Sequence, residues 1–300
     1  MERLWREASL VIDAMTSGAR QSNDESSPRA MQRALDRRSV PSRRRARLLR
    51  TGSACLPLAL IASLALPRAA AAAPATTLVV KAIPIPGFPG TGDFLGAGTD
   101  VEAQVTISGS EYGGFPSPLT GINVYAPLGA RVTSTGFATC APSVLAASGA
   151  EGCPKRSSAG AQGVGFGVVS FGGERVPEEV SIRQFFAPGG GLTFYVVGST
   201  PASFEIVENA HWVTASAPYG KELIVEVPLI ETVPGANDAS VTSFKVKIGA
   251  AYKKGKRTVS YLTQPKKCPP GGFPVKMELK FLSGETDTVS QHVPCPSGIR

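Results

Sequence analysis

From residue 76 to residue 293 the chain alternates apolar and polar positions in short runs, and most runs close on Gly, Pro, Asn or Ser. TTLVVKAIPI, DVEAQVTIS, GINVYAP, GVGFGVVSF, EEVSIRQFFAP and LTFYVVGS carry this pattern. So do ASFEIVEN, HWVTASA, ELIVEVPLI, SVTSFKVKIG and RTVSYLTQ. Successive side chains on a strand point to opposite faces, so a two-residue period marks a strand with one buried face. Val, Ile, Thr and aromatic residues suit that half-buried surface. FPVKMELKF, Ser283-Gly284 and ETDTVSQHV add a terminal hairpin. Strands at this spacing predict an all-β fold, an antiparallel double-sheet sandwich of jelly-roll or Ig-like kind. One short helix is predicted at APSVLAAS. Pro and Gly sit at strand ends and form no linker, so residues 76–300 read as one β-sandwich domain, with a split near residue 172 as the alternative.

The pattern changes before residue 76. Arg43, Arg44, Arg45, Arg47 and Arg50 precede the apolar run ACLPLALIASLAL, and the alanine-rich AAAAAPA follows it. A positive region, a short apolar run and small residues make a secretory signal peptide, placed at 43–75. The run is too short for a bilayer span, which takes about 20 residues. Cleavage is expected between Ala71 and Thr76, and after it no transmembrane anchor remains. Residues 1–42 are polar and lack apolar periodicity, so they read as a disordered extension, and Met31 offers an alternative start. Arg44-Arg45 resembles a twin-arginine signal, but Arg47 occupies a position that wants an apolar residue, which favours the general secretory route.

Charge follows the same division. The net charge of +8 is concentrated in the leader: residues 1–74 hold 13 Arg and 6 acidic residues, whereas residues 75–300 hold 18 basic and 17 acidic residues. A nearly neutral mature chain argues against nucleic acid as a partner. Within it the charge is uneven. Residues 174–238 hold 9 acidic and 3 basic residues, and residues 239–277 hold 9 basic and no acidic ones. KVKIGAAYKKGKRTVSYLTQPKK reads as a hairpin with Lys253, Lys254, Lys256 and Arg257 at its tip. Such a cluster can grip an anionic cell-wall polymer or lipid headgroups. It can equally guard strand edges against aggregation, or pair with the acidic zone.

Of five cysteines, Cys55 belongs to the leader. An even remainder in an exported chain points to two disulfides. Cys140 with Cys153 and Cys268 with Cys295 is the preferred pairing, since the terminal hairpin carries the second pair together. No C-x-x-C exists and only two histidines are present, so no metal centre and no cofactor are expected.

SPLTGINVYAPLGARV, GFATC with GCPKRSSAG, FFAPGGGLTFYVVGSTP, VPLIETVPGA and KVKIGAAYKKGKRTVSYLTQPKKCP with GGFPVKMELKF carry a resemblance. Over roughly residues 100–297 the chain resembles a group of exported β-rich proteins of high-GC Gram-positive bacteria. The resemblance implies an extracytoplasmic β protein and no particular reaction.

Catalytic motifs are thin. V-V-S-F-G at Ser170 lacks the first glycine of a serine elbow, and GVGFG lacks the spacing and helix of a phosphate loop. Its glycine face predicts close approach of a backbone or a bulky side chain. Glycoside hydrolysis needs two carboxylates about 5–9.5 Å apart. Glu205 and Glu208 face opposite sides of a regular strand, and Glu222 and Glu226 lie about 13 Å apart. A catalytic pair would therefore have to come from two strands. The reading is a secreted β-sandwich that binds a partner or belongs to the cell envelope, without catalysis; the alternative is an extracellular polysaccharide-active enzyme.

Overall fold

Ala75–Pro84 (β1) and Thr99–Ser108 (β2) begin a series of antiparallel strands that ends only at Val293. In the computed structural model residues 71–85, 95–201, 203–231 and 235–295 are described, all within the unit Leu66–Arg300. The N-terminal extension and the leader up to residue 70 lie outside them. After β2 come β3 (Leu119–Pro127), β4 (Arg131–Val132), the helix α1 (Pro142–Ser148), β5 (Gly163–Phe171) and β6 (Glu174–Phe186). They are followed by β7 (Leu192–Gly198), β8 (Phe204–Thr214), β9 (Tyr219–Glu226) and β10 (Ser240–Ile248). The last are β11 (Ala251–Lys254), β12 (Arg257–Ser260), β13 (Leu262–Thr263), β14 (Phe273–Phe281) and β15 (Thr286–Val293).

Eleven of these strands form a single sheet in the order β1-β2-β10-β5-β6-β7-β8-β9-β3-β14-β15. The two separate sheets of a sandwich are not seen as hydrogen-bonded units, and the β5–β6 hairpin carries the ladder straight across residue 172. Instead the sheet curls until its ends meet. The amide of Val80 in β1 donates to Oε1 of Gln291 in β15 at 2.6 Å, and Nε2 of Gln291 donates back to the Val80 carbonyl at 3.3 Å. Beneath this contact Val80 packs with Phe273 and Val293. Sandwich and barrel share one alternation, because both bury one face of every strand. The choice between them lies in register, which the alternation does not carry.

The inward faces make a common core. Val105 and Ile107 of β2 meet Met277, Leu279 and Phe281 of β14, although β2 and β14 stand near opposite ends of the strand order. Ile182, Phe194, Val196, Leu223 and Val225 supply the opposite wall. The glycine face of β5 works as its sequence predicts. A Cβ on Gly165 would stand 2.8 Å from Cγ2 of Val180, and one on Gly167 2.8 Å from the Ser240 carbonyl oxygen.

Helix α1 covers part of the outer face. Pro at its start fixes a helical φ without sacrificing a needed amide, and Leu145 buries against Phe185 and Tyr195, the outward residues of β6 and β7. The Cys140–Cys153 disulfide, with Cα atoms 5.4 Å apart, ties the segment that carries α1. Cys268 and Cys295, 6.1 Å apart at Cα, close the terminal hairpin at its open end. Both pairings agree with the sequence expectation. By loop-closure entropy each contributes about 3 kcal/mol.

Candidate functional site

The inward faces of the barrel-like sheet leave a cavity between them. Side chains from every strand except β11 and β12 surround a cavity of about 270 Å³. Its wall is almost wholly aliphatic and aromatic, with Ile122, Val180, Phe194, Ile206 and Val227 as typical members. Apolar cavities of about 150 Å³ stay dry and take apolar molecules.

Aromatic residues close in on one side. Tyr261 is fully buried. It packs against Phe186 with ring centroids 4.7 Å apart, and Phe137 stands 4.6 Å from Phe186. Trp212 lines the cavity and donates from Nε1 to the Tyr261 hydroxyl at 2.8 Å. Burial pushes the Tyr261 phenol up to about 12, so it stays a neutral partner.

Three lining residues are charged types. Arg131 of β4 is itself exposed, at the margin. Glu178 of β6 is 2% exposed, and its Oε1 accepts from the amides of Ser199 and Thr200 at 3.0 and 3.1 Å. Glu208 of β8 has neither arrangement. Phe204, Ile206, Glu208, Ala210 and Trp212 share the inward face of β8, while Val207 packs outward towards α1. Glu208 lines the cavity, and among the described residues no hydrogen bond or ion pair holds its carboxyl. Burial alone raises it from 4.5 to about 7. Register places Phe194 beside both Glu208 and Gln184. Gln184 lies six residues beyond Glu178, about 20 Å of strand rise. The two cavity carboxylates thus stand well beyond the span of a glycosidase pair.

A second group of polar residues lies on the outer face. The Tyr125 hydroxyl donates to Oε2 of Glu278 at 2.9 Å, Lys276 Nζ reaches Glu278 Oε1 at 2.6 Å, and Asn123 Nδ2 donates to Glu222 at 2.8 Å. Lys276 also sits 3.7 Å from the Tyr125 ring centroid. The hydrogen bonds from Lys276 and Tyr125 outweigh burial and hold Glu278 below the usual carboxylate range, so it stays ionised. A general acid needs the opposite shift.

The sequence-predicted cationic residues lie together, apart from this wall. Lys253, Lys254, Lys256 and Arg257 are all exposed on the β11–β12 hairpin, a two-stranded ribbon separate from the main sheet. Among the described residues none of the four makes an ion pair, and Lys253 Nζ donates to Thr258 at 2.9 Å. Two other lysines of the basic zone are neutralised. Lys245 pairs with Glu102 at 3.2 Å and Lys247 with Asp100 at 3.0 Å, partners that lie outside the acidic zone. Among the described residues no group of three or more His, Cys, Asp or Glu is placed to hold a metal, and no helix is long and apolar enough to cross a membrane.

Fold and site together define an antiparallel barrel-like protein built around an apolar cavity with one unpartnered acid. No protein-family model, curated protein or solved structure matches the chain.

Proposed function

We propose that this is an exported, non-catalytic binding protein whose barrel-like interior takes an apolar molecule. The observation that carries the reading is the 270 Å³ cavity with its almost wholly apolar wall. An apolar wall of that extent gains contacts and sheds water when an apolar molecule lies against it. Export is supported by the arginine-flanked apolar leader and by two disulfides. The resemblance to exported actinobacterial proteins points the same way. Trp212 is a built-in reporter, because Trp5 is the chain's only other tryptophan. Decane added to the purified protein is expected to blue-shift or quench Trp212 emission and to raise the melting temperature. Unchanged emission and an unchanged melt at saturating decane would remove the basis for this reading.

A second reading concerns the β11–β12 hairpin and is supported by its four exposed, unpaired cations. It attaches the protein to an anionic polymer of the cell envelope. Surface charges are screened over about 10 Å at 0.1 M salt, so binding to isolated cell walls is expected to fall steeply between 50 and 500 mM NaCl. Serine at Lys253, Lys254, Lys256 and Arg257 together is expected to abolish the binding and leave the melt within about 2 °C. A mutant that aggregates yet still binds walls would identify the cations as edge protection instead.

A further inference from the structure

The cavity wall has one feature that an apolar ligand alone does not explain. Glu208 sits midway along β8, on the face that otherwise carries Phe204, Ile206, Ala210 and Trp212. Its neighbour across the ladder is Phe194 on β7, and continuation of the Ala210–Val225 register points it towards Val227, just past the end of β9. The remaining charged types on the wall are Glu178, engaged by two backbone amides, and Arg131, at the margin. Neither perturbs Glu208, whose protonation is set by burial alone. Glu208 is half-buried there, and a leucine in its place would line the wall with no polar atom.

The geometry points to Glu208 as the head-group contact of the cavity: as a neutral carboxylic acid it donates a hydrogen bond to an acceptor oxygen, such as an ester carbonyl, on an otherwise apolar ligand. This rests on the proposed apolar-ligand function and adds the polar end of the ligand to it. The neutral form is the one an aliphatic wall favours, because an ionised carboxylate in such surroundings bears the full desolvation penalty. With an ordinary value raised to about 7, the acid is largely protonated at pH 6 and largely ionised at pH 8. A cationic amine would also pair with Glu208, but with the opposite pH dependence. It needs the carboxylate, and it brings a second buried charge into the apolar wall.

Three ligands of equal chain length separate the cases: decane, methyl decanoate and decylamine, titrated against Trp212 emission and by calorimetry. Decane binding tests the cavity itself, and its absence would overturn the proposed function together with this inference. Given decane binding, methyl decanoate is expected to bind at least tenfold tighter than decane at pH 6. That advantage is expected to shrink to less than twofold at pH 8.5, while decane affinity stays constant. Glu208→Leu is expected to keep decane binding and lose the ester advantage at both pH values. Glu208→Gln retains a donor and does not titrate, so it is expected to keep the advantage at both. An ester advantage that survives in the leucine variant, or is absent from the wild type at pH 6, overturns the assignment. Decylamine binding tighter than methyl decanoate, and increasing with pH up to 8.5, also overturns it and assigns the ionised form instead.

Discussion

A protein with Val196 replaced by tryptophan is expected to lose at least 100-fold in affinity for decane and to melt no lower than the wild type. Val196 projects inward from β7, with Ile182 of β6 and Ile206 of β8 directly in register on either side. Both flanks are occupied, so the indole has one direction open to it, into the cavity. There it occupies the volume a ligand would take. A 100-fold loss corresponds to about 2.7 kcal/mol, less than the contacts an aromatic ring displaces. The stability measurement makes the experiment decisive. Enlarging a residue in a filled core costs about 1–3 kcal/mol, which would lower the melt of a domain this size by roughly 2–12 °C. Enlarging one beside an empty cavity adds contacts. A Val196→Trp protein that melts several degrees lower would show that the interior is already filled.

Leucine at position 208 is expected to raise the melting temperature at pH 8 by roughly 6–12 °C, and the advantage is expected to narrow sharply by pH 4. The sign follows from the carboxyl's elevation in the fold from 4.5 to about 7. Below about pH 4.5 the group is protonated in both folded and unfolded chains, and burial carries no ionic penalty. Between 4.5 and 7 the unfolded chain ionises first, which draws the equilibrium towards unfolding. Above 7 both forms are ionised and the penalty is constant, on the order of 3 kcal/mol. Other carboxylates titrate over the same range, but identically in both proteins, so the difference between the two melts isolates position 208. Thermal unfolding of wild type and Glu208→Leu at pH 4, 6 and 8 is the measurement. A pH-independent gap would mean that Glu208 is not held in an apolar environment.

The strands and both disulfides were legible because their causes are local. Alternation announces a strand, and a hairpin brings Cys268 to Cys295. The continuity of β8 was less so. FEIVEN and HWVTASA read as separate strands across Asn209, yet Phe204–Thr214 runs unbroken, and the turn chemistry there yields to pairing on both sides. The single curled sheet was not legible at all, since nothing in the alternation of β1 or β15 says that they meet. Nor does any residue announce a cavity, which is a relation among side chains from thirteen strands. The acid inside it did leave a signal. An inward set that reads Phe204, Ile206, Glu208, Ala210, Trp212 puts one carboxylate among apolar residues. Considered only as a catalytic partner for Glu205, Glu208 is on the wrong side of the strand; considered by itself, it is a half-buried acid on an apolar face. Charge was legible as a zone but not by residue, because Lys245 and Lys247 meet Glu102 and Asp100 only through the β2–β10 register.

The closure at Gln291 gives this protein a seam. Ten strand pairs along the sheet are zipped by backbone ladders, whereas among the described residues β1 and β15 are hydrogen-bonded through one side-chain amide that reproduces the bonding of one residue. To part any zipped pair, several backbone bonds must go together. To unlatch the seam, two side-chain bonds go, worth about 1 kcal/mol each, with the packing of Val80 on Phe273 and Val293. By this count the seam is the line of the wall with the fewest hydrogen bonds to part. The same opening bares two unpaired strand edges, the surfaces on which other chains add strands. One glutamine thus both closes the wall and covers two strand edges.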